Sequence, residues 1–419
     1  VKQYLHFLWR CVRVSFLGDW RYHLWMTVLS VIALLGLNAY AKQLVQGLAT
    51  TGLSDQVSWG MYIANFTFLV GMAAAAVMLV IPVYLYKNRE LHDLVIFGEL
   101  LAVAAILMCL AFVTVDLGRP DRFMHLMRRF NFPISMLTWD VVVLNGYLLL
   151  NLHICGYLIY CAYMGRKPSK AFYIPFVFVA IVWAISIHTV TAFLYVGLGG
   201  RPFWNSAIIA PRFLASAFAA GPAFLILALT VIHRTTTYDV PAKAITTLRN
   251  IVTVALTINM FLLLCEVFVE FYTDSAHGVS ARYLFFGLEG RHALVPWIWT
   301  AVAMNTVALG ILLTPAAARR PAFANVACVL MILGIWIEKG MGLIIPAFVP
   351  SPLGEIVEYS PTWNETLVCL GIWAFGLAVF TILVRITIPV LSGRLTIHTR
   401  YRPNYGKPLP APATPEGSR

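Results

Sequence analysis

Residues 98–123 read GELLAVAAILMCLAFVTVDLGRPDRF. From Leu100 to Val115 the side chains are almost pure hydrocarbon, and the chain then turns abruptly into Asp116, Gly118, Arg119, Pro120, Asp121 and Arg122. A run of this kind, wound as a helix, satisfies its own backbone hydrogen bonds while crossing roughly 30 Å of hydrocarbon. It has no two-residue alternation, so a lipid-embedded β-barrel is disfavoured.

Runs like it recur on both sides along the chain. Hydropathy places about ten spans, near 24–43, 58–86, 93–116, 134–163, 172–197, 208–233, 247–272, 292–314, 322–346 and 363–389. Composition agrees: of 419 residues 60% are hydrophobic and only 11% charged, with a mean hydropathy of +0.80, which is the balance of an integral membrane protein. The fold class expected is all-α, a polytopic membrane protein. FLVGMAAAA at 68–76 and FLASAFAAG at 213–221 both set small residues along a span, and each is followed by a span ending in carboxylates. That faint repeat suggests two related four-helix bundles, about 58–197 and 208–346, with flanking helices 24–43 and 363–389, in a membrane domain of 24–390.

Ahead of that domain, residues 1–23 interleave Lys2, Arg10 and Arg13 with Leu5, Leu8, Val12 and Phe16 at helical spacing, as an interfacial helix does. No cleavable signal is apparent there. Residues 391–419 are proline-rich and read as an extended tail.

A net charge of +12 would point to nucleic acid in a soluble protein, but here it divides between the two faces of a bilayer. Most basic residues, among them Lys87, Arg89, Arg166, Lys167, Arg234, Arg319, Arg320, Arg400, Arg402 and Lys407, fall on the side that holds both termini. The positive-inside rule makes that side cytoplasmic, so the expected location is the cytoplasmic (inner) membrane. The long loops 117–133, 198–207, 273–291 and 347–362 then lie outside, where a partner would dock, with Arg119, Arg122, Arg128 and Arg129 crowded in the first.

Seven cysteines include no C-x-x-C pair, and no metal site of that kind is expected: neither an iron–sulfur cluster nor structural zinc. Haem needs two histidines at matching depth. His153 and His188, the intramembrane candidates, are offset by about 9 Å at 1.5 Å per residue, so no haem is expected in this chain.

Charged groups in hydrocarbon are costly and therefore informative. Asp116, Asp140, His188, Glu266, Glu270 and Glu338 all converge toward the outer end of their spans, with Trp59, Tyr62 and Trp139 at the same level. Flat rings with polar tips suit a quinone head group. On the cytoplasmic half, Glu99 and His153 are candidates for a proton path.

The order SWGMYIANFTFLVGMAAAAV (58–77), the 98–123 stretch, SMLTWDVVVLNGYLLLNL (135–152) and SIHTVTAFLY (186–195) resembles the NrfD/PsrC-like family of quinone-interacting membrane subunits. IEKGMGLIIPAFVPSPLG (337–354) with SPTWNE (360–365) is similar to its ten-helix branch, most like the menaquinone reductase and sulfite-reductase-linked complexes of sulfate reducers. The resemblance implies a subunit without its own redox centre. It would bind menaquinone near the extracytoplasmic face, beside a ferredoxin-like iron–sulfur subunit, a multihaem cytochrome c or a molybdopterin-enzyme-like subunit. Asp116, Asp140 and His188 would handle protons there, with Trp59, Tyr62, Asn65, Arg119 and Trp139 completing the quinone site; Gly118 and Pro120 would end the helix behind Asp116. Polysulfide-reductase-type relatives carry a histidine and an asparagine on the first bundle helix, whereas this chain has Asn65 and no histidine at 62–66. Two other classes stay open: a secondary transporter and a purely structural anchor for a redox enzyme outside the membrane.

Overall fold

The computed structural model describes residues 2–73, 75–85, 91, 94–236, 238–273 and 276–399. Lys87, Arg89 and the proline-rich tail from residue 400 onward lie outside the described residues. In chain order the helices are α1 (Lys2–Ser15), α2 (Trp20–Gln46), α3 (Met61–Ala73), α4 (Ala75–Val80), α5 (Val95–Asp116), α6 (Phe123–Arg128), α7 (Met136–Tyr163), α8 (Lys170–Val196), α9 (Ile209–Thr235), α10 (Ala242–Tyr272), α11 (Ala276–Phe286), α12 (Val295–Leu313), α13 (Pro315–Ala318), α14 (Pro321–Ile335), α15 (Gly342–Ile344) and α16 (Trp363–Leu391). The protein is an all-α polytopic membrane protein.

Among the described residues, nine helices are long and apolar enough to span a bilayer. The tenth expected span, near 58–86, is described as α3, α4 and a π-helical turn at Ile81–Leu85, with residue 74 outside the description. The span expected at 322–346 likewise changes winding, passing from α14 into a π-helical turn at Trp336–Met341 and then α15. Such turns are rare and cluster at functional positions.

α3, α5, α7 and α8 pack around one another, and α9, α10, α12 and α14 form a second group, joined through α9 to α3 and α8. α2 and α16 pair along the side, with α16 also covering α5. Burial follows this plan: 83% of the apolar window of α5 is enclosed by protein against 17% for α2, so α5 is a central helix and α2 faces lipid. Close approach of α2 and α16 depends on two glycines. A Cβ on Gly36 would lie 2.6 Å from Cα of Gly371, and one on Gly371 would lie 2.7 Å from Cα of Gly36, so neither position has room for a side chain.

Helix ends are tied by specific caps. The Asp19 side chain accepts from the Tyr22 amide at 3.0 Å at the start of α2, and Thr362 accepts from the Glu365 amide at 3.2 Å at the start of α16. α1 buries Phe7, Cys11 and Val14, spaced for one helical face, and leaves Leu5, Leu8, Trp9, Val12 and Phe16 exposed. Arg10 anchors it, donating to the carbonyls of Thr396 (2.7 Å) and Thr399 beside the end of α7.

Candidate functional site

Because neighbouring helices alternate in direction, the starts of α3, α7, α9 and α16 meet the ends of α2, α5, α8 and α10 at one end of the molecule. The polar residues gather there. Along α8, His188, Thr191 and Tyr195 share a stripe, since spacings of three and four residues return to the same helical face. All three are fully buried. Thr191 donates to Asp140 Oδ1 on α7 at 2.7 Å, and Tyr195 and Thr67 on α3 join hydroxyls at 2.5 Å. His188 Nδ1 lies 2.7 Å from the Ala184 carbonyl, and the Val70 carbonyl on α3 also faces the ring. Its Nε2 is buried and completes no hydrogen bond of good geometry.

Tyr62, also buried, donates to Gln43 Oε1 on α2 at 2.7 Å, and Gln43 Nε2 donates to the Val115 carbonyl at 2.6 Å. The next residue is Asp116. Its Oδ1 is buried with no hydrogen-bond partner. The indole of Trp59 closes this corner, 5.9 Å from the Tyr195 ring, 5.6 Å from Trp204 and 6.0 Å from Phe348. Tyr195 on α8 links the two sets, since Asp140 and Asp116 are both in its electrostatic reach.

Other expected members are placed elsewhere. Arg119 does not pair with Asp116: it forms a two-bond fork to Asp121, at 3.0 and 2.9 Å, with both side chains exposed. The Asp121 carboxyl is held below its ordinary range by that hydrogen bond. Trp139 turns to the loop ahead of α7, donating to the Pro133 carbonyl at 2.8 Å with its ring 4.3 Å from Phe132. Asn65 is already saturated, since its Oδ1 accepts from the indoles of Trp336 (3.0 Å) and Trp373 (2.8 Å) and its Nδ2 donates to the Met61 carbonyl. It works as a clamp between α3, α16 and the π-helical turn.

Glu99 and His153 are not brought together. Glu99 is buried in electrostatic reach of Tyr147 and Cys155, on the face of α7 that also carries Asn151. His153 lies about 200° round the helix from Asn151, with its ring 4.4 Å from Phe176 and 5.1 Å from Phe172 on α8.

The second helix group encloses a charge cluster. Arg212 on α9 donates to Glu338 Oε1 at 2.6 Å and pairs with Glu266 on α10. Asn305 and Asn259 add donors to Glu338 at 2.8 and 3.4 Å. A small cavity beside this cluster is lined by Arg212, Glu266, Glu270 and Glu338 among apolar side chains. The π-helical turn carries Lys339 into the interior as well; its Nζ donates to the Phe213 carbonyl at 3.3 Å and sits 4.1 Å from that ring. Arg212 between Glu266 and Glu338, with Lys339 in electrostatic reach of Glu338, makes the burial of these charges more tolerable.

Sequence reasoning missed Arg212, Lys339, Thr191, Tyr195, Gln43, Tyr359 and Glu365. Arg212 and Lys339 were visible as lone cations in apolar runs; the uncharged members give no such signal. Glu365 is fully buried at the start of α16, where its carboxylate accepts from the Tyr359 hydroxyl and from the Gly52 amide at 3.0 Å. Tyr359 is pushed far above the ordinary tyrosine range, first by burial and then by the charge of Glu365. Among the described residues no group of three His, Cys, Asp or Glu is arranged to hold a metal ion.

Fold and site together define a polytopic membrane protein with a buried, protonatable corner at one end of a helix bundle. A family profile described as polysulphide reductase, NrfD, matches residues 49–349, and the chain belongs to that family. It is 25% identical over 343 residues to a putative dimethyl sulfoxide reductase membrane subunit of Halobacterium salinarum, covering 77% of each chain. It is 23% identical to a selenate reductase subunit of Mesobacillus selenatarsenatis, covering 92% of this chain and 98% of that one. The Hdr-like menaquinol oxidoreductase integral membrane subunit of Archaeoglobus fulgidus is 22% identical, over 87% of this chain and 93% of its own.

Proposed function

We propose that this chain is the membrane subunit of a respiratory quinone oxidoreductase complex of the cytoplasmic membrane, with both termini cytoplasmic. It binds a quinone, menaquinone by analogy with the Archaeoglobus relative's name, at the extracytoplasmic corner of α3, α5, α7 and α8. The observation that carries the reading is a pair of buried polar atoms that complete no hydrogen bond, Asp116 Oδ1 on α5 and His188 Nε2 on α8, with Tyr62 on α3 and Tyr195 on α8 in electrostatic reach of Asp116 and the Trp59 ring, just ahead of α3, 5.9 Å from Tyr195. Unpaired buried polar atoms are uncommon and costly. A quinone suits such groups chemically: its carbonyl oxygens accept a proton or a hydrogen bond, and its ring stacks on flat side chains. Bound quinone would supply two-electron, two-proton chemistry, the electrons passing to or from a docked iron–sulfur, multihaem cytochrome c or molybdopterin-type subunit. Asp116, Asp140 and His188 would hold and move the protons.

Any proton route from the cytoplasmic side starts, in this reading, at Glu99 and follows the Tyr147–Asn151 face of α7. Absence of charge movement during turnover in liposomes would remove that route. The site itself is tested by binding of a menaquinone analogue to the purified complex. Asp116→Asn is expected to abolish binding or turnover with assembly intact; unchanged affinity and rate would overturn the assignment.

A further inference from the structure

The second helix group holds a second small cavity, adjoining the one beside Glu266 and Glu270 and lined by none of the residues of the quinone corner. Arg212 and Ser216 on α9, Asn259 on α10, and Glu338 and Lys339 on the π-helical turn all border it.

Lys339 has more hydrogens than acceptors. An ammonium carries three N–H groups, and the only hydrogen bond of its Nζ is to the Phe213 carbonyl at 3.3 Å, an oxygen that also accepts from the Ser216 hydroxyl at 3.0 Å. Lys339 forms no ion pair among the described residues, since the carboxylates of Glu266 and Glu338 are engaged by Arg212. Two other sides of Nζ are closed: the Phe213 ring lies 4.1 Å away, and α3 comes so near that a Cβ on Gly71 would stand 3.3 Å from it. Asn259 has the complementary shortfall. It is fully buried, its Nδ2 reaches Glu338 Oε1 only at 3.4 Å, and its Oδ1 completes no hydrogen bond. A donor short of acceptors and an acceptor short of donors thus border one space, and each such deficit is costly in a buried site.

The lining decides what fits there. Arg212 and Lys339 oppose a metal cation, while Glu338 and the Asn259 carbonyl oxygen oppose an anion. A neutral molecule that both donates and accepts meets no like charge, and the space suits about one water.

We propose that this cavity is a hydration site, in which one resident water accepts from Lys339 Nζ and donates to Asn259 Oδ1, its second hydrogen serving Glu338 or the Ser216 oxygen. Buried waters typically make about three hydrogen bonds of this kind. The water solvates the Lys339 ammonium in place of an ion pair. It also joins Lys339, the cation packed against α3, to the Arg212–Glu338 pair, so that a polar link runs from the first helix group into the second. The site does not depend on the quinone reading.

A cryo-EM map of the purified full-length chain, with the subunits that accompany it, at a resolution that shows ordered water tests this directly. The expected result is one ordered water within about 3 Å of both Asn259 Oδ1 and Lys339 Nζ. Well-resolved side chains with no such density, or Lys339 bonded directly to a carboxylate, would overturn the proposal. A double-mutant cycle read by melting temperature in lipid nanodiscs is the second measurement. Asn259→Leu removes the acceptor and fills the space, and Lys339→Met removes the donor; each alone should lower the melting temperature, and the two together should lower it by clearly less than the sum. The bond from Asn259 to Glu338 is lost in both backgrounds and cancels. Additive drops would mean that no water joins the two residues, and if a variant fails to fold the wild-type map alone decides.

Discussion

Thr191 on α8 donates its hydroxyl hydrogen to Asp140 on α7 across 2.7 Å, and both side chains are buried. Of the carboxyl groups in the first helix group, Asp140 is therefore fixed in place by a neutral donor, whereas Asp116 has one oxygen free. Thr191→Val keeps the shape and removes the donor, at a cost of about 1–3 kcal/mol for the stranded acceptor. Quinone-linked turnover of the assembled complex is expected to fall by roughly tenfold, and Thr191→Ser to restore it. Unchanged turnover in Thr191→Val would take Asp140 out of the site.

Arg212 serves two carboxylates at once. Arg212→Leu leaves Glu266 and Glu338 buried without their cation, and breaking a buried pair in this way costs about 3–5 kcal/mol. Loss of monodisperse protein in detergent is expected. Adding Glu266→Gln and Glu338→Gln to the same chain should recover most of the loss, because the uncompensated charge is then gone; no recovery would mean that the cluster matters for packing alone.

Gly371→Leu places a side chain where Gly36 already stands. Overpacking of this kind costs about 1–3 kcal/mol. The melting temperature should drop and protease sensitivity of the α1–α2 segment should rise, while an unchanged melting curve would show that α2 and α16 separate at little cost.

Asn65→Leu strips the acceptor from two indole N–H groups, about 1–3 kcal/mol for each stranded donor. Tryptophan fluorescence should report a changed environment at Trp336 and Trp373. If instead quinone affinity fell with fluorescence and stability unmoved, Asn65 would be a ligand contact and its reading as a clamp would be wrong.

The Arg119–Asp121 pair is exposed. The Asp121 carboxyl lies below its ordinary value in the folded protein, so whatever the pair contributes is present above the unfolded carboxylate value and is lost as pH falls through the lowered one. Arg119→Ala is expected to leave the melting temperature unchanged at neutral pH, since exposed pairs are screened by water and salt. Co-purification of a redox partner lost in the same variant would assign Arg119 to docking.

Span positions were legible because hydrocarbon length is a one-dimensional property: the expected 134–163, 208–233 and 363–389 became Met136–Tyr163, Ile209–Thr235 and Trp363–Leu391. Carboxylates in such spans stand out for the same reason, and Asp116, Asp140, Glu266 and Glu338 were visible before any coordinates. Their partners were not. Thr191, Gln43 and Tyr359 are ordinary residues in composition, and only the approach of α7 to α8, or of α2 and α16 to α5, gives them a role.

What the sequence determined by itself was the class of protein, the approximate spans and the end of the molecule at which charge collects, because desolvation penalties act on each residue whatever its neighbours. What only the tertiary structure decided was pairing: Arg119 with Asp121 instead of Asp116, His153 among phenylalanines instead of beside Glu99, and Glu365 joined to the Gly52 amide 313 residues away in the chain. Hydrogen bonds and buried charges are short-range and directional, so their partners follow from which helix faces meet, and that is settled by packing in three dimensions.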